Sequence, residues 1–330
     1  MSGYKNFAVV GAGRLGKYIL NEFATKLAQG TISSVALLAR SAEGHDELKA
    51  KGVKIIVVDY SSPTLKSSLS NIDVIVSTLG GEGLALQLPL ALAAKEAGVK
   101  LFAPSEFSLP TDELTEDAFQ SKNVFKAKLK EIGLPSTVYY TGLFTDFVLA
   151  PGYDFINGFA EIFGFDFKNQ KVVIEGEGTT PVSWTTRTDI ARFVVHSLTA
   201  FPKEKLEWQI IPIEGERLSF NQIIEQWNAR TGKTLSVIHN PISKVKEAYE
   251  KDPSDFLSLL KIKIDAGRYE ISSKEESERV NNLWPEFKPA KVLDVVTKIY
   301  GGTPNITKRD NCALINRNRK LENNYVSMVL

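Results

Sequence analysis

A Gly-x-Gly-x-x-Gly stretch near the start of the chain, Gly11, Gly13 and Gly16, has the spacing of a phosphate-binding turn. The first glycine allows a sharp turn out of a strand, the second leaves room for a pyrophosphate, and the third lets a helix pack closely on the sheet. The helix N-terminus would offer N–H groups and a positive dipole end to the phosphates. This turn, with Arg14 and Leu15, predicts a dinucleotide site, although a purely structural turn has the same pattern.

Cofactor choice would depend on the end of the second predicted strand, where an acidic residue usually binds the ribose of NAD. This chain has Arg40 and Ser41 there. A guanidinium binds phosphate with two hydrogen bonds and a hydroxyl can donate a third, so the pair predicts NADP(H). Arg14 and Lys49 would assist. Asp59 closes the third strand and could meet the adenine edge, but a plain turn acid explains it equally well.

Small residues close the fourth predicted strand at Thr78, Leu79 and Gly80. They would let the backbone pass beneath a dinucleotide, although a structural turn is the competing interpretation. Ser105 and Phe107 follow the fifth strand, at the edge where a parallel sheet binds its ligands.

Lys122 is the best candidate for moving a proton. No Tyr-x-x-x-Lys sequence occurs around any of the ten tyrosines, so the proton-transfer pair of typical short-chain dehydrogenases is missing. Lys122 would open the helix after the fifth strand. Near a bound nicotinamide, desolvation would disfavour its charged form and let it exchange a proton near neutral pH. By composition alone, however, Lys122, Lys126, Lys128 and Lys130 would be lysines of a solvated helix.

Composition excludes several classes of protein. The formal net charge of +1 gives no field for nucleic acid or an acidic membrane. The single cysteine, Cys312, permits no internal disulfide, and three scattered histidines predict no metal site. The first residues lack a secretory pattern and no apolar run reaches membrane-spanning length. We therefore expect a cytoplasmic protein with a small-molecule substrate.

The predicted secondary structure around these residues alternates between strands and helices. Strands are predicted at residues 7–10, 35–39, 53–58, 74–78, 101–103 and 136–140, and helices at 14–29, 45–51, 65–69, 86–97 and 121–132. Short apolar runs separated by helical spacing indicate βαβ units and a doubly wound, Rossmann-type parallel sheet.

The pattern changes after Gly142 to an aromatic and glycine-rich stretch. Much of it would be core, but its position after the sixth strand suggests that some rings line a substrate pocket; the candidates are Phe144, Phe147, Tyr153, Phe155 and Phe159. We expect an NADP(H)-binding domain over 1–150, to which segments around 180–200 return. A smaller α+β substrate lobe would cover 151–302, and a loosely attached tail 303–330.

The sequence resembles the NmrA-like and isoflavone-reductase-like group of atypical short-chain dehydrogenases, especially its fungal isoflavone-reductase-like proteins. The resemblance rests on the glycine turn, on Leu38-Ala39-Arg40, and on the specific run 95–107 that ends in Pro-Ser-Glu-Phe. It covers residues 9–199. Ser108, Leu101 and Gly142 stand where the group usually has glycine, arginine and asparagine.

The resemblance implies that Lys122, thirteen residues before Pro135, is the general acid or base. It also implies that Phe107 packs near the cofactor and that the C-terminal lobe covers an aromatic substrate. The leading interpretation is thus an NADPH-dependent reductase of a small aromatic or apolar molecule. The alternative is a non-catalytic NADP(H)-binding redox sensor of the NmrA type, which docks a regulatory protein.

Overall fold

The computed structural model describes residues 3–150 and 163–301, which form two compact units. The first unit is built from three segments, one up to Asp146, one over Pro181–Leu218 and one over Gly267–Lys291. The second comprises the described residues of Phe147–Thr180, of Ser219–Ala266 and from Val292 onward. The first unit therefore takes in 201–218 and 267–291, in addition to the expected return around 180–200.

The strands, numbered along the chain, are β1 Asn6–Val10, β2 Ser34–Ala39, β3 Lys54–Val57, β4 Val74–Ser77, β5 Leu101–Ala103, β6 Thr137–Tyr140, β7 Leu143–Phe144, β8 Phe165–Asp166, β9 Lys171–Glu175, β10 Val182–Thr185, β11 Gln209–Pro212, β12 Glu216–Leu218 and β13 Ser236–Asn240. The helices are α1 Gly16–Ala28, α2 Asp46–Ala50, α3 Leu65–Ser68, α4 Gln87–Ala97, α5 Asp117–Glu131, α6 Thr145–Val148, α7 Arg187–Ala200, α8 Phe220–Thr231, α9 Ile242–Lys251, α10 Phe256–Asp265, α11 Lys274–Asn281 and α12 Val292–Tyr300.

The first unit contains a five-stranded parallel sheet in the order β3-β2-β1-β4-β5. The predicted Rossmann-type α/β fold is confirmed. Separate apolar cores cover the two faces of the sheet, one with α1 and α7 and the other with α4 and α5. Because both faces are covered, β1 is almost entirely buried from Phe7 to Val10, which explains its unbroken apolar sequence.

The sixth strand joins this sheet only weakly. A single bridge links Phe102 of β5 to Ser136, and the Phe102 N–H donates to the carbonyl oxygen of Pro135 at 2.9 Å. β6 then pairs in parallel with β11, which lies about seventy residues further along the chain. β7, β10 and β12 form a separate three-stranded sheet of the first unit.

The second unit has a three-stranded sheet in the order β13-β9-β8. Its core is aromatic: the Phe165 ring meets Phe220 edge to face at 5.3 Å, and Phe167 packs on Trp227 at 4.8 Å. α8 begins with a capping box between Ser219 and Gln222. In the described parts of both units, no helix combines the length and apolar character that crossing a membrane requires.

Candidate functional site

The turn between β1 and α1 is built on its glycines. Gly11 has a φ of +88°, which favours glycine. A Cβ on Gly16 would collide with the Gly11 carbonyl and approach Thr78 Oγ1 to 2.5 Å. A Cβ on Gly13 would meet no atom within 4 Å. Gly11 and Gly16 therefore serve the packing of the turn itself, whereas the space beside Gly13 is open.

The start of α1 is not capped by the side chain of its N-cap residue. Its N-cap residue, the buried Leu15, makes no side-chain capping bond, and its first turn contains no acidic residue. Thr78 fixes the turn from the adjacent strand end, because its hydroxyl lies 2.9 Å from the carbonyl oxygen of Val10 and 3.1 Å from that of Gly11. This arrangement is suited to an anion. Next to Thr78, Leu79 is half-buried and Gly80 is exposed.

A buried ion pair lies beside the turn and was not foreseen from the sequence. Asp146 accepts hydrogen bonds from the backbone N–H of Arg187 at 2.9 Å and from its Nε at 3.0 Å. Arg187 Nη1 reaches the carbonyl oxygen of Arg14 at 3.5 Å. Burial raises the pKa of Asp146, although the Arg187 charge opposes the shift. The pair thus ties the start of α7 to the glycine turn.

The end of β2 presents Arg40 to solvent, directly after the half-buried Ala39. The hydroxyl oxygen of Ser41 accepts a hydrogen bond from the Glu43 N–H at 3.1 Å, which leaves the hydroxyl proton available to a ligand. Two further candidates have local partners. Lys49 pairs with Asp46 at 2.9 Å, and Asp59 accepts from the N–H and hydroxyl of Ser61 at 2.9 and 2.6 Å.

The segment after β5 is held by a buried side chain of α4. Gln87 Oε1 accepts a hydrogen bond from the Ser105 N–H at 2.9 Å. The buried Phe107 ring stacks on Tyr139 with centroids 5.9 Å apart and planes within 5° of parallel. Both Ser105 and Phe107 are thereby fixed at the carboxyl end of the sheet.

Lys122 is turned toward this segment and away from bulk solvent. Its Nζ donates to the carbonyl oxygen of Ser105 at 2.8 Å, and its side chain is 15% exposed. Glu106 Oε2 lies 4.0 Å from the same Nζ, on a side chain that is 1% exposed. The prediction that Lys122 opens α5 is wrong, because α5 begins at Asp117 and Lys122 lies in its second turn.

Burial acts on both members of this pair. It lowers the pKa of Lys122, although the Glu106 carboxylate opposes the shift and the charge of Lys126 adds to it. Burial also raises the pKa of Glu106, against the charges of Lys122 and Lys126 and the hydrogen bond from Thr111. Both shifts bring the two groups toward the range in which they can exchange protons.

A polar network extends from Glu106 and was missed from the sequence. The Thr111 hydroxyl lies 3.0 Å from Glu106 Oε2 and 3.2 Å from Asn123 Oδ1. Lys126 Nζ donates to Thr111 Oγ1 at 3.0 Å and to Asp112 Oδ1 at 2.7 Å. The interpretation of Lys126 as a solvated lysine is wrong, since its side chain is only 13% exposed. Glu106 belongs to the Pro-Ser-Glu-Phe run, and this motif is the sequence signal that could have indicated a role for it.

Most of the predicted pocket wall lies outside the described residues, namely Tyr153, Phe155 and Phe159. Phe144, in β7, is half-buried and packs against the core of the first unit. Phe147, in α6, is half-buried and belongs to the second unit. Within 3–150 and 163–301, no His, Cys, Asp and Glu side chains cluster in a way that could hold a metal ion.

Comparison with models of known protein families identifies the family of this chain. The model of the NmrA-like family matches residues 4–292. The chain belongs to the NmrA-like family. Its glycine turn, Arg40 and the Glu106–Lys122 pair are therefore features of an NmrA-like protein.

Among curated relatives, an isoflavone reductase homolog of Nicotiana glauca is 25% identical over 311 residues, with 89% of this chain and 97% of the relative covered. A phenylcoumaran benzylic ether reductase of Nicotiana tabacum is 27% identical over 315 residues, with 88% and 96% covered. These NmrA-like relatives are reductases of aromatic compounds by name.

Solved structures share the fold. AtPrR2 with NADP+ and (+)-pinoresinol superposes with a TM-score of 0.74 at 21% identity and covers 91% of this chain and 100% of its own. The Vitis vinifera leucoanthocyanidin reductase–NADPH complex gives 0.73 at 20% identity, with 89% and 99% covered. The NmrA-like chain therefore has the architecture of proteins solved with NADP(H) bound.

Proposed function

We propose that this chain is an NADPH-dependent reductase of a small aromatic or otherwise apolar molecule, in which Lys122 is the general acid or base. The observation that carries the proposal is the placement of Lys122. Its amine is held at the carboxyl edge of the parallel sheet by the Ser105 carbonyl and faces the buried Glu106 carboxylate. A lysine that served only solubility would have no reason to turn its amine away from solvent there.

The first unit fits a dinucleotide phosphate. The open space at Gly13 and the uncapped start of α1 suit the pyrophosphate, which would be bound by backbone N–H groups. Arg40, with the Ser41 hydroxyl, would bind the 2′-phosphate that distinguishes NADPH from NADH. Lys49 and Asp59 have subsidiary roles, because both already have local partners.

When bound, NADPH would supply a hydride to a carbon of the substrate. Lys122 would give its ammonium proton to the substrate oxygen, or take a phenolic proton first where a benzylic ether is opened. Glu106 supports the charged form of Lys122 against burial. Phe107, fixed on Tyr139, would shield the reacting atoms from water.

Two observations support the proposed substrate class, namely the names of the relatives and the aromatic composition of the chain after Gly142. The named relatives act on benzylic ethers and isoflavones, which carry aromatic rings. We assign the aromatic candidates Phe144, Phe147, Tyr153, Phe155 and Phe159 to the pocket wall.

The test is NADPH oxidation, followed by its absorbance, across a panel of aromatic carbonyls, enones and benzylic ethers. With an accepted substrate, Lys122→Ala should lower kcat by about 10²–10⁴-fold with NADPH affinity nearly unchanged. Lys122→Arg should not restore activity, because a guanidinium holds its proton too tightly. Lys130→Ala, an exposed lysine of the same helix, is the control.

Wild-type turnover by Lys122→Ala would contradict the catalytic role. Tight NADPH binding by the wild type without oxidation by any member of the panel would instead favour the alternative, a non-catalytic redox sensor with a protein partner.

A further inference from the structure

Beyond Lys122, the polar network of the first unit runs from a fully buried group to solvent. Glu106 is 1% exposed and Thr111 is 0% exposed. Lys126 has a side chain 13% exposed, and Asp112, at the other end, has one 54% exposed. The network is therefore a path of decreasing burial, and it starts beside the amine that we assign to catalysis.

Each step of this path lies within hydrogen-bond distance except the last. Asp112 Oδ1 is 2.7 Å from Lys126 Nζ, which is 3.0 Å from Thr111 Oγ1, which is 3.0 Å from Glu106 Oε2. The final separation, from Glu106 Oε2 to Lys122 Nζ, is 4.0 Å. That separation closes by a small rotation of the amine or is spanned by one water molecule.

The Thr111 hydroxyl can change its hydrogen-bond acceptor. A hydroxyl has one proton to donate, and here it has two acceptors, Glu106 Oε2 at 3.0 Å and Asn123 Oδ1 at 3.2 Å. It simultaneously accepts from Lys126. A rotation about the Thr111 side chain thus makes or breaks the hydrogen bond to Glu106, and Asn123 Oδ1 accepts from the hydroxyl when that bond is broken.

We propose that Thr111 and Lys126 relay protons between solvent at Asp112 and the Glu106–Lys122 pair. This inference rests on the proposed function, since a reductase uses one proton at Lys122 for each hydride that the substrate carbon gains. Glu106 and Lys122 exchange the proton directly, while Thr111 and Lys126 act through them.

The proton balance closes without any other reagent. Lys122 gives a proton to the substrate oxygen and becomes a neutral amine. The Glu106 carboxylate takes the Thr111 hydroxyl proton as Thr111 takes one from Lys126, and the carboxyl formed in this way gives its proton to the Lys122 amine. The Lys126 amine regains a proton from water through Asp112. The net transfer is one proton from solvent, and every group of the relay returns to its starting state.

The matched variants are Thr111→Val, which keeps the shape and removes the hydroxyl, and Thr111→Ser, which keeps the hydroxyl. Steady-state kcat and the rate of a single turnover are measured with NADPH and a substrate accepted by the wild type. We expect Thr111→Val to lower kcat by about 10²-fold and to leave the single turnover at the wild-type rate, because Lys122 starts protonated. Thr111→Ser should resemble the wild type.

Further experiments distinguish a proton relay from a purely structural role of Thr111. Imidazole, a small proton donor, should restore part of the kcat lost in Thr111→Val. Lys126→Met, which keeps a side chain of similar length and removes the ammonium group, should reproduce the loss in kcat. Thr115→Val, at an exposed threonine outside the network, should leave kcat unchanged.

Equal kcat in wild type and Thr111→Val would overturn the relay and leave the proposed function intact. A single turnover that falls as far as kcat, without rescue by imidazole, would overturn it as well, because the hydroxyl would then only support the fold. A wild type that oxidises no NADPH with any substrate would overturn the proposed function, and the relay with it.

Discussion

Lys122 Nζ lies 4.0 Å from Glu106 Oε2. Burial lowers the pKa of Lys122 and raises the pKa of Glu106, so it favours the neutral form of each group, and the charge of each residue opposes the shift of the other. Because the Glu106 charge acts against burial, the pKa of Lys122 is sensitive to the charge of this one residue on a neighbouring loop. The groups that act on it are Glu106, which raises it, and Lys126, which lowers it.

Glu106→Gln should therefore shift the pH profile. Removing the carboxylate charge leaves burial and Lys126 unopposed, so the pKa of Lys122 should fall further. Reduction requires the protonated amine, and activity is lost as pH rises through that pKa. We expect the alkaline limb of the kcat/KM profile to move to lower pH. Glu131→Gln, at an exposed carboxylate of α5, is the control, and an unmoved limb in Glu106→Gln would contradict the coupling.

Cofactor preference should depend on Arg40. Loss of a guanidinium–phosphate pair costs about 1.5–3 kcal/mol, so Arg40→Ala should weaken NADPH binding roughly tenfold to 150-fold and leave NADH binding nearly unchanged. Calorimetric titration with both cofactors measures this. Lys54→Ala removes a cation from the other end of the β2–β3 pair and should affect neither. Equal losses for both cofactors in Arg40→Ala would disprove the assignment.

The glycine turn offers a contrast between binding and folding. Gly13→Val adds carbons where no protein atom lies within 4 Å, so we expect a wild-type melting temperature and loss of NADPH binding. Gly16→Val places a Cβ against Gly11 and Thr78 and should lower the melting temperature. Normal NADPH binding by Gly13→Val would mean that this glycine does not face the ligand.

Stability should respond strongly to Asp146. The Asp146 and Arg187 side chains are 5% and 1% exposed, and Asp146→Ala would remove a carboxylate that contacts the buried guanidinium. We expect a loss of about 3–5 kcal/mol in denaturant unfolding. Asp294→Ala, which breaks the exposed Arg230–Asp294 pair, should cost about 0–1 kcal/mol. Similar losses for the two variants would show that the buried pair adds no more than a surface contact.

The parallel sheet could be predicted because its signals are local. Apolar runs such as Phe7–Val10 and the glycines that end them are visible in a few residues. The sequence predicts the start of this helix at residue 121, four residues after the observed start of α5. The N-cap of α5 is Glu116, whose side chain makes no capping bond, so the usual sequence signal is missing.

The environment of the candidate site was harder to predict because it depends on contacts across the chain. Lys126 looks like a surface lysine on a helical pattern, but it is half-buried and binds Thr111 and Asp112 of a loop that precedes its helix. Likewise, the partner of β6 is β11, and no local pattern links two strands so far apart. Lys122 could be predicted from its place after the fifth strand and from the family resemblance, but its contact with Glu106 is visible only in the structure.

The three-part construction of the first unit has a consequence for how the protein is made. Its core contains Val280 and Phe287 as well as Phe7 and Phe23. Most of the chain separates the first two residues from the last two. During synthesis the ribosome must release residues near 291 before this core can close, long after the glycine turn has emerged. The nascent N-terminal half therefore exposes apolar surface while the rest is translated, and expression of residues 1–150 alone would not yield a closed nucleotide-binding domain.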